Sequence, residues 1–93
     1  MRVKVVIPTP LRVFAAKKDC AEFPAETVGE ALGKLTVEFG DLRKHLFTEE
    51  GKLRSFVNVY LNDEDIRYLG KEDTPTKDGD VVSIVPSIAG GRS

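Results

Sequence analysis

The chain has a single cysteine, a single histidine and no tryptophan among its 93 residues. With Cys20 alone, no internal disulfide can form, and no thiolate metal site or iron–sulfur centre can be assembled from this chain. A lone cysteine suits a reducing compartment. No apolar run approaches the roughly 20 residues that span a bilayer. The start Met1-Arg2-Val3-Lys4 alternates charge with valine, unlike a secretory leader. The expected location is therefore the cytoplasm, with no membrane partner. An excess of one charge is also missing, because 14 Lys and Arg stand against 15 Asp and Glu. A formal net charge of −1 gives no general attraction to nucleic acid. At this length one hydrophobic core is expected and a separate catalytic domain is not.

What is present is a set of short periodic segments. Val3, Val5 and Ile7 alternate with Arg2, Lys4 and Val6, which predicts a strand. Pro8 and Pro10 are expected to end it, since proline donates nothing to a ladder. Residues 11–16 read as a turn or short helical piece. Residues 19–23 read as a second strand holding Cys20 and closed by Pro24. Thr27 followed by Glu30 has capping-box spacing. Val28, Ala31, Leu32, Leu35 and Phe39 then form one apolar helical stripe. Gly29 and Gly33 weaken that helix by about 1 kcal/mol each, and they suggest a close approach to a sheet. Gly40 is the expected helix stop. Leu42, Leu46 and Phe47 predict a further helical turn.

Phe56-Val57-Asn58-Val59-Tyr60-Leu61 predicts the clearest strand after the first. Alternation separates Phe56, Asn58 and Tyr60 from Val57, Val59 and Leu61 without saying which set faces the core. Asn62-Asp63-Glu64-Asp65 reads as a polar turn and Ile66-Arg67-Tyr68 as a brief return strand. Residues 74–80 form a loop with the turn signal Asp78-Gly79. Val81-Val82-Ser83-Ile84-Val85 is the last predicted strand, stopped by Pro86. Strand, strand, helix, strand, short strand, strand is an α+β order, with one main helix packed on one face of a mixed sheet. Residues 1–86 are the expected folded domain and residues 87–93 a flexible tail, with no repeat or internal linker.

Four stretches carry a resemblance. The final strand followed by Pro86-Ser87-Ile88-Ala89-Gly90-Gly91 resembles the end of the ThiS/MoaD-type ubiquitin-like sulfur carriers. Lys77-Asp78-Gly79-Asp80-Val81-Val82 is similar to the turn that launches their last strand. Phe56 through Arg67, with the opening around Ile7-Pro8-Thr9 and Leu11-Arg12, resembles the CysO branch, used in cysteine biosynthesis. The resemblance covers nearly the whole chain. It implies a β-grasp fold with four to five strands against the main helix. It also implies that the protein is a covalent co-substrate rather than an enzyme.

The implied chemistry falls on Gly91. An E1-like adenylyltransferase/sulfurtransferase would use ATP to adenylate its carboxylate, and a sulfur donor would convert the acyl-adenylate to a thiocarboxylate. No cofactor is bound by the carrier. The acceptor would be an enzyme such as a cysteine synthase, with a peptidase releasing the product. Ala89 and Gly90 would present the terminus. Independently of the resemblance, Gly90 and Gly91 lack a Cβ, so their backbone can enter a narrow channel and leave the Gly91 carbonyl carbon open to attack. The plain alternative is a disordered end with Gly-Gly as spacer. Arg92-Ser93 follows Gly91 and blocks chemistry there in this form. One reading is a precursor trimmed between Gly91 and Arg92 by a zinc-dependent JAMM-type peptidase, and the other is that the two residues are an addition at the end of an expressed chain. Sulfur donation for molybdopterin or thiamine synthesis, capture of Gly91 by lysine amines of other proteins, and a non-covalent interaction domain remain the competing functions.

Other reactive residues read as structural. Cys20 lacks a motif that pairs it with a base, and its expected role is a small strand residue. His45, between Lys44 and Leu46, is expected to be an exposed side chain. Asp63-Glu64-Asp65 lacks the glycine and glutamate spacing of a calcium loop, because Tyr68 and Thr74 stand at those positions.

Overall fold

Alternating burial builds the sheet. In the computed structural model, which describes residues 2–55 and 57–86, β1 (Arg2–Val6) buries Val3 and Val5 and turns Arg2 and Lys4 outward. β2 (Cys20–Pro24) returns antiparallel to it, with Val5 opposite Ala21. β3 (Val57–Leu61) buries Val57, Val59 and Leu61. β4 (Glu64–Asp65) pairs with its end, and β5 (Val81–Pro86) closes the sheet. The order is β2-β1-β5-β3-β4. β5 runs parallel to β1 and antiparallel to β3, which makes the sheet mixed. This is the expected β-grasp arrangement.

α1 (Val28–Glu38) lies on the core face and buries Val28, Ala31, Leu32 and Leu35. Fully burying an aliphatic side chain of this kind contributes roughly 1.5–3 kcal/mol. Thr27 caps the helix by accepting a hydrogen bond from the Glu30 amide at 3.1 Å. Glu30 reaches back to the amide of Glu26, one residue before the cap, at 2.6 Å. The box therefore closes one residue earlier than its usual form. α2 (Gly40–Leu46) follows and sends Leu42 and Leu46 into the same core. A 3-10 helix over Thr9–Ala15 contributes Leu11 and Ala15.

Several expectations need correction. Gly40 does not stop a helix but begins α2. The break is made by Phe39, at φ −119° and ψ 80°, whose amide still bonds to Leu35. Ile66–Tyr68 is a 3-10 turn, and the return strand is Glu64–Asp65 before it. Asp65 caps that turn by accepting from the Arg67 amide, so the carboxylate competes with further pairing to β3. Gly29 does make a close approach, but to the backbone at Glu72 rather than to the sheet, and Gly33 has open space around it.

Pro24 is the last residue of β2 and Pro86 the last described residue of β5, so each proline's place is inside the ladder. Pro24 lies on the edge strand, where a missing donor is tolerated. Pro86 stands opposite Val57. The Asn62 amide bonds to the Val81 carbonyl, and antiparallel alternation from that pair makes Val57–Pro86 a non-hydrogen-bonded pair. The absent N–H of Pro86 therefore removes nothing from the β3 ladder.

Candidate functional site

The C-terminal residues singled out by sequence, Ala89, Gly90, Gly91 and Arg92, lie outside the described residues. What the structure describes is their base. β5 lies between two hydrogen-bonded neighbours, β1 and β3. Val82 and Ile84 anchor it in the core, and Val81, Ser83 and Val85 face the other way. Ser83 stands opposite Tyr60, and Val85 opposite Asn58. The alternation of β3 is thereby resolved. Val57, Val59 and Leu61 face the core, whereas half-buried Asn58 and Tyr60 share the outer face with β5.

The turn that launches β5 is held on several sides. The Arg2 amide donates to Asp78 Oδ1 at 2.8 Å, and the Gly79 amide to the Arg2 carbonyl at 2.9 Å. Gly79 has φ +89°, which only glycine adopts freely. Asp80 accepts from the Lys77 amide and from Asn62 Nδ2, while Asn62 Oδ1 accepts from the Val81 amide. Asn62 thus ties the β3–β4 turn to the start of β5. These bonds fix the direction of β5, the last described strand.

The other candidates do not assemble into a reactive centre. Cys20 is half-buried at the first position of β2, opposite Val6. His45 departs from its expected exposure. It is half-buried, its ring stacks on Phe14 at 4.0 Å between centroids, and its Nε2 is buried without a hydrogen-bond partner among the described residues. The stack forms because α2 packs against the Thr9–Ala15 helix.

Asp63 and Glu64 are exposed, whereas Asp65 is committed to Arg67 through its amide at 2.9 Å and its guanidinium at 2.6 Å. The Arg67 side-chain hydrogen bonds, then its amide, hold the Asp65 carboxyl below its ordinary value. A notch of about 200 Å³ between β3 and the 3-10 turns has Val57, Val59 and Ile66 on its floor and Arg67, Lys71 and Glu72 at its rim. It contains no nucleophile–base pair. No group of His, Cys, Asp or Glu among the described residues is placed to hold a metal ion. No helix among them is long and apolar enough to cross a membrane.

The ThiS family matches residues 7–91. The chain belongs to the ThiS family. A sulfur carrier protein, CysO of Mycobacterium tuberculosis, is 38% identical over 93 residues, covering 98% of this chain and 100% of the relative. Small archaeal modifier protein 3 of Haloferax volcanii is 38% identical over 65 residues, 70% of each chain. Among solved structures, the BexX/CysO complex of Amycolatopsis orientalis contains a chain that superposes with TM-score 0.86 at 39% identity, covering 96% of this chain and 99% of that one. The ThiS match includes the launching turn, all of β5 and the Gly90-Gly91 pair, and leaves Arg92-Ser93 outside it.

Proposed function

We propose that the protein is a ubiquitin-like sulfur carrier whose Gly91, freed of Arg92-Ser93, is adenylated and thiocarboxylated, and that it donates this sulfur for cysteine biosynthesis. The observation that carries the reading is the ThiS match, which runs through β5, a strand fixed in the sheet interior, and on in sequence to Gly91. The 38% identity to the CysO sulfur carrier over the whole of that relative supports cysteine as the destination.

The chemistry balances without a catalytic group on the carrier. A Gly91 carboxylate oxygen attacks the α-phosphorus of ATP on the activating enzyme, and pyrophosphate leaves. A hydrosulfide equivalent from a donor then attacks the acyl carbon, AMP departs, and a thiocarboxylate remains. Its sulfur displaces the leaving group of an activated serine derivative on a cysteine synthase. The thioester so formed rearranges by an S-to-N acyl shift to an amide of the cysteine amine. A JAMM-type zinc peptidase hydrolyses that amide with water, releasing cysteine and restoring the Gly91 carboxylate, and the same class of enzyme trims Arg92-Ser93. The carrier works in the cytoplasm, where thiols persist. It contributes a thin glycine arm and a rigid base, which hold the reacting carbon in the partner's site.

Intact-mass analysis tests this on chains ending at Gly91 and at Ser93. With an E1-like enzyme, ATP and a sulfur donor, the Gly91 form gains one sulfur in place of one oxygen, and the Ser93 form does not. Absence of any ATP-dependent product from the Gly91 form sinks the reading. A second reading, attachment of Gly91 to lysine amines, is favoured by the similarity to an archaeal modifier protein. It predicts isopeptide adducts on other proteins in place of a free thiocarboxylate.

A further inference from the structure

A basic cradle lies where α2 meets the loop leading into β3. It encloses about 350 Å³ and is lined by Arg43, Lys44, Phe47, Thr48, Glu49 and Arg54 among others. Among the described residues none of its three cations forms an ion pair, although the chain as a whole carries formal net charge −1. Glu49 is the only carboxylate on the rim.

The two arginines are held rather than loose. Half-buried Arg54 donates Nε to the Lys44 carbonyl at 2.8 Å, which holds the guanidinium, and its two terminal nitrogens make no hydrogen bond among the described residues. The Arg43 guanidinium sits 5.9 Å from the centre of the Phe47 ring. The Thr48 hydroxyl oxygen accepts weakly from the amides of Glu50 and Lys52, so its proton remains available to donate. Two guanidinium planes and an ammonium set around a hollow match carboxylates, and an oriented arginine loses less entropy on binding than a free one.

Position points to the partner. The Arg54 carbonyl accepts from the Val57 amide at 3.0 Å, and Val57 stands opposite Pro86, the last residue of β5. The cradle therefore flanks the Pro86 end of β5, the last described residue before residues 87–91 in sequence. A surface that binds residues 87–91 together with this end of β5 passes close to Arg54.

We propose that Arg43, Lys44 and Arg54 form a docking surface for an acidic segment of a partner protein, bordering the site into which the tail is delivered. This rests on the carrier reading for the partner's identity, but not for the acidic binding itself. Such complementarity acts on encounter and orientation more than on the chemical step.

Two measurements on the full folded chain test it. In an NMR titration with hexaglutamate peptide in low-salt buffer, saturable shifts fall on the amides around Arg43, Lys44, Phe47 and Arg54. The paired substitutions Arg43→Glu and Arg54→Glu weaken binding by about tenfold or more. Lys44→Glu, whose side chain makes no described contact, gives a smaller loss in the same direction and guards against a folding artefact at Arg54. Shifts spread over Lys4, Lys17 and Lys77, or unchanged affinity in the variants, overturn the proposal. Equally tight binding of inorganic phosphate also overturns it, because that marks a small-anion site.

In the second measurement, the doubly substituted chain, trimmed to Gly91, shows a raised KM and an unchanged kcat for thiocarboxylation, and the difference shrinks at high salt. An unchanged KM overturns the proposal. Failure of the unsubstituted trimmed chain to react overturns the carrier reading instead, and the titration then decides the cradle alone.

Discussion

The hydroxyl of Thr76 donates to the carbonyl of Ala25 at 2.8 Å, across 51 residues and out of contact with water. The Thr76 amide also reaches the Glu26 carbonyl at 2.9 Å, so this one residue ties the loop before β5 to the entrance of α1. Thr76→Val preserves shape but leaves the buried Ala25 carbonyl short of a partner. A loss of about 1–3 kcal/mol in unfolding free energy is expected, with an unchanged urea m-value. A loss within experimental error would mean that water or a shifted backbone takes the place of the hydroxyl.

Two glycines of α1 respond in opposite directions. A Cβ on Gly29 would lie 3.0 Å from both Cβ and the carbonyl oxygen of Glu72, and the latter is backbone that cannot swing away. A Cβ on Gly33 meets nothing within 4 Å. Gly33→Ala gains helix propensity and is expected to raise stability by about 0.5–1 kcal/mol. Gly29→Ala gains the same propensity but displaces the 3-10 turn Lys71–Asp73, and the net result is a loss. Thermal unfolding of the two variants side by side checks the contrast, and equal stabilisation would refute the close approach.

Asp65 and Arg67 set an acid limb on stability. The carboxyl is held below its ordinary value, chiefly by the Arg67 side chain, so the folded state favours its ionised form. The stabilisation is fully present above the unfolded-state value and is lost as pH falls through the lower folded-state value. Asp65→Asn removes that dependence. Its melting temperature lies below that of the parent near neutral pH, and the gap narrows under acid conditions. Parallel melting curves across the acid range would show that the pair contributes nothing, as exposed pairs sometimes do.

Strong local periodicity was legible, and tertiary assignments were less so. Val3 and Val5, Val57, Val59 and Leu61, and the α1 stripe all appear where alternation or helical spacing places them. Which face of β3 is outside could not be read from alternation, because burial of Val57, Val59 and Leu61 in the common core decides it. Gly40 misled because glycine after an apolar stripe resembles a stop signal. The backbone angles of Phe39 turn the chain instead, and Leu42 and Leu46 draw α2 into the core. His45 was misread because its partner Phe14 lies 31 residues away in sequence. The same distance effect hides the basic cradle, since Arg54 joins Arg43 and Lys44 only after the loop at 48–52 folds back through the Thr48–Lys52 and Leu46–Arg54 backbone bonds.

Cys20 separates two places where sulfur could reside. Its side chain is half-buried at the start of an edge strand, and no base is hydrogen-bonded to it among the described residues. If sulfur is carried on Gly91, the thiol is dispensable. Cys20→Ala, trimmed to Gly91, is expected to fold with a loss of no more than about 1 kcal/mol, typical of a small change at a half-buried position. It should then take up sulfur at the parent rate. Intact mass reads the uptake, and alkylation with iodoacetamide shows that the incorporated sulfur sits on a chain without cysteine. A Cys20→Ala protein that melts like the parent yet gains no sulfur would place a relay thiol on β2 and overturn transfer directly to the C-terminus.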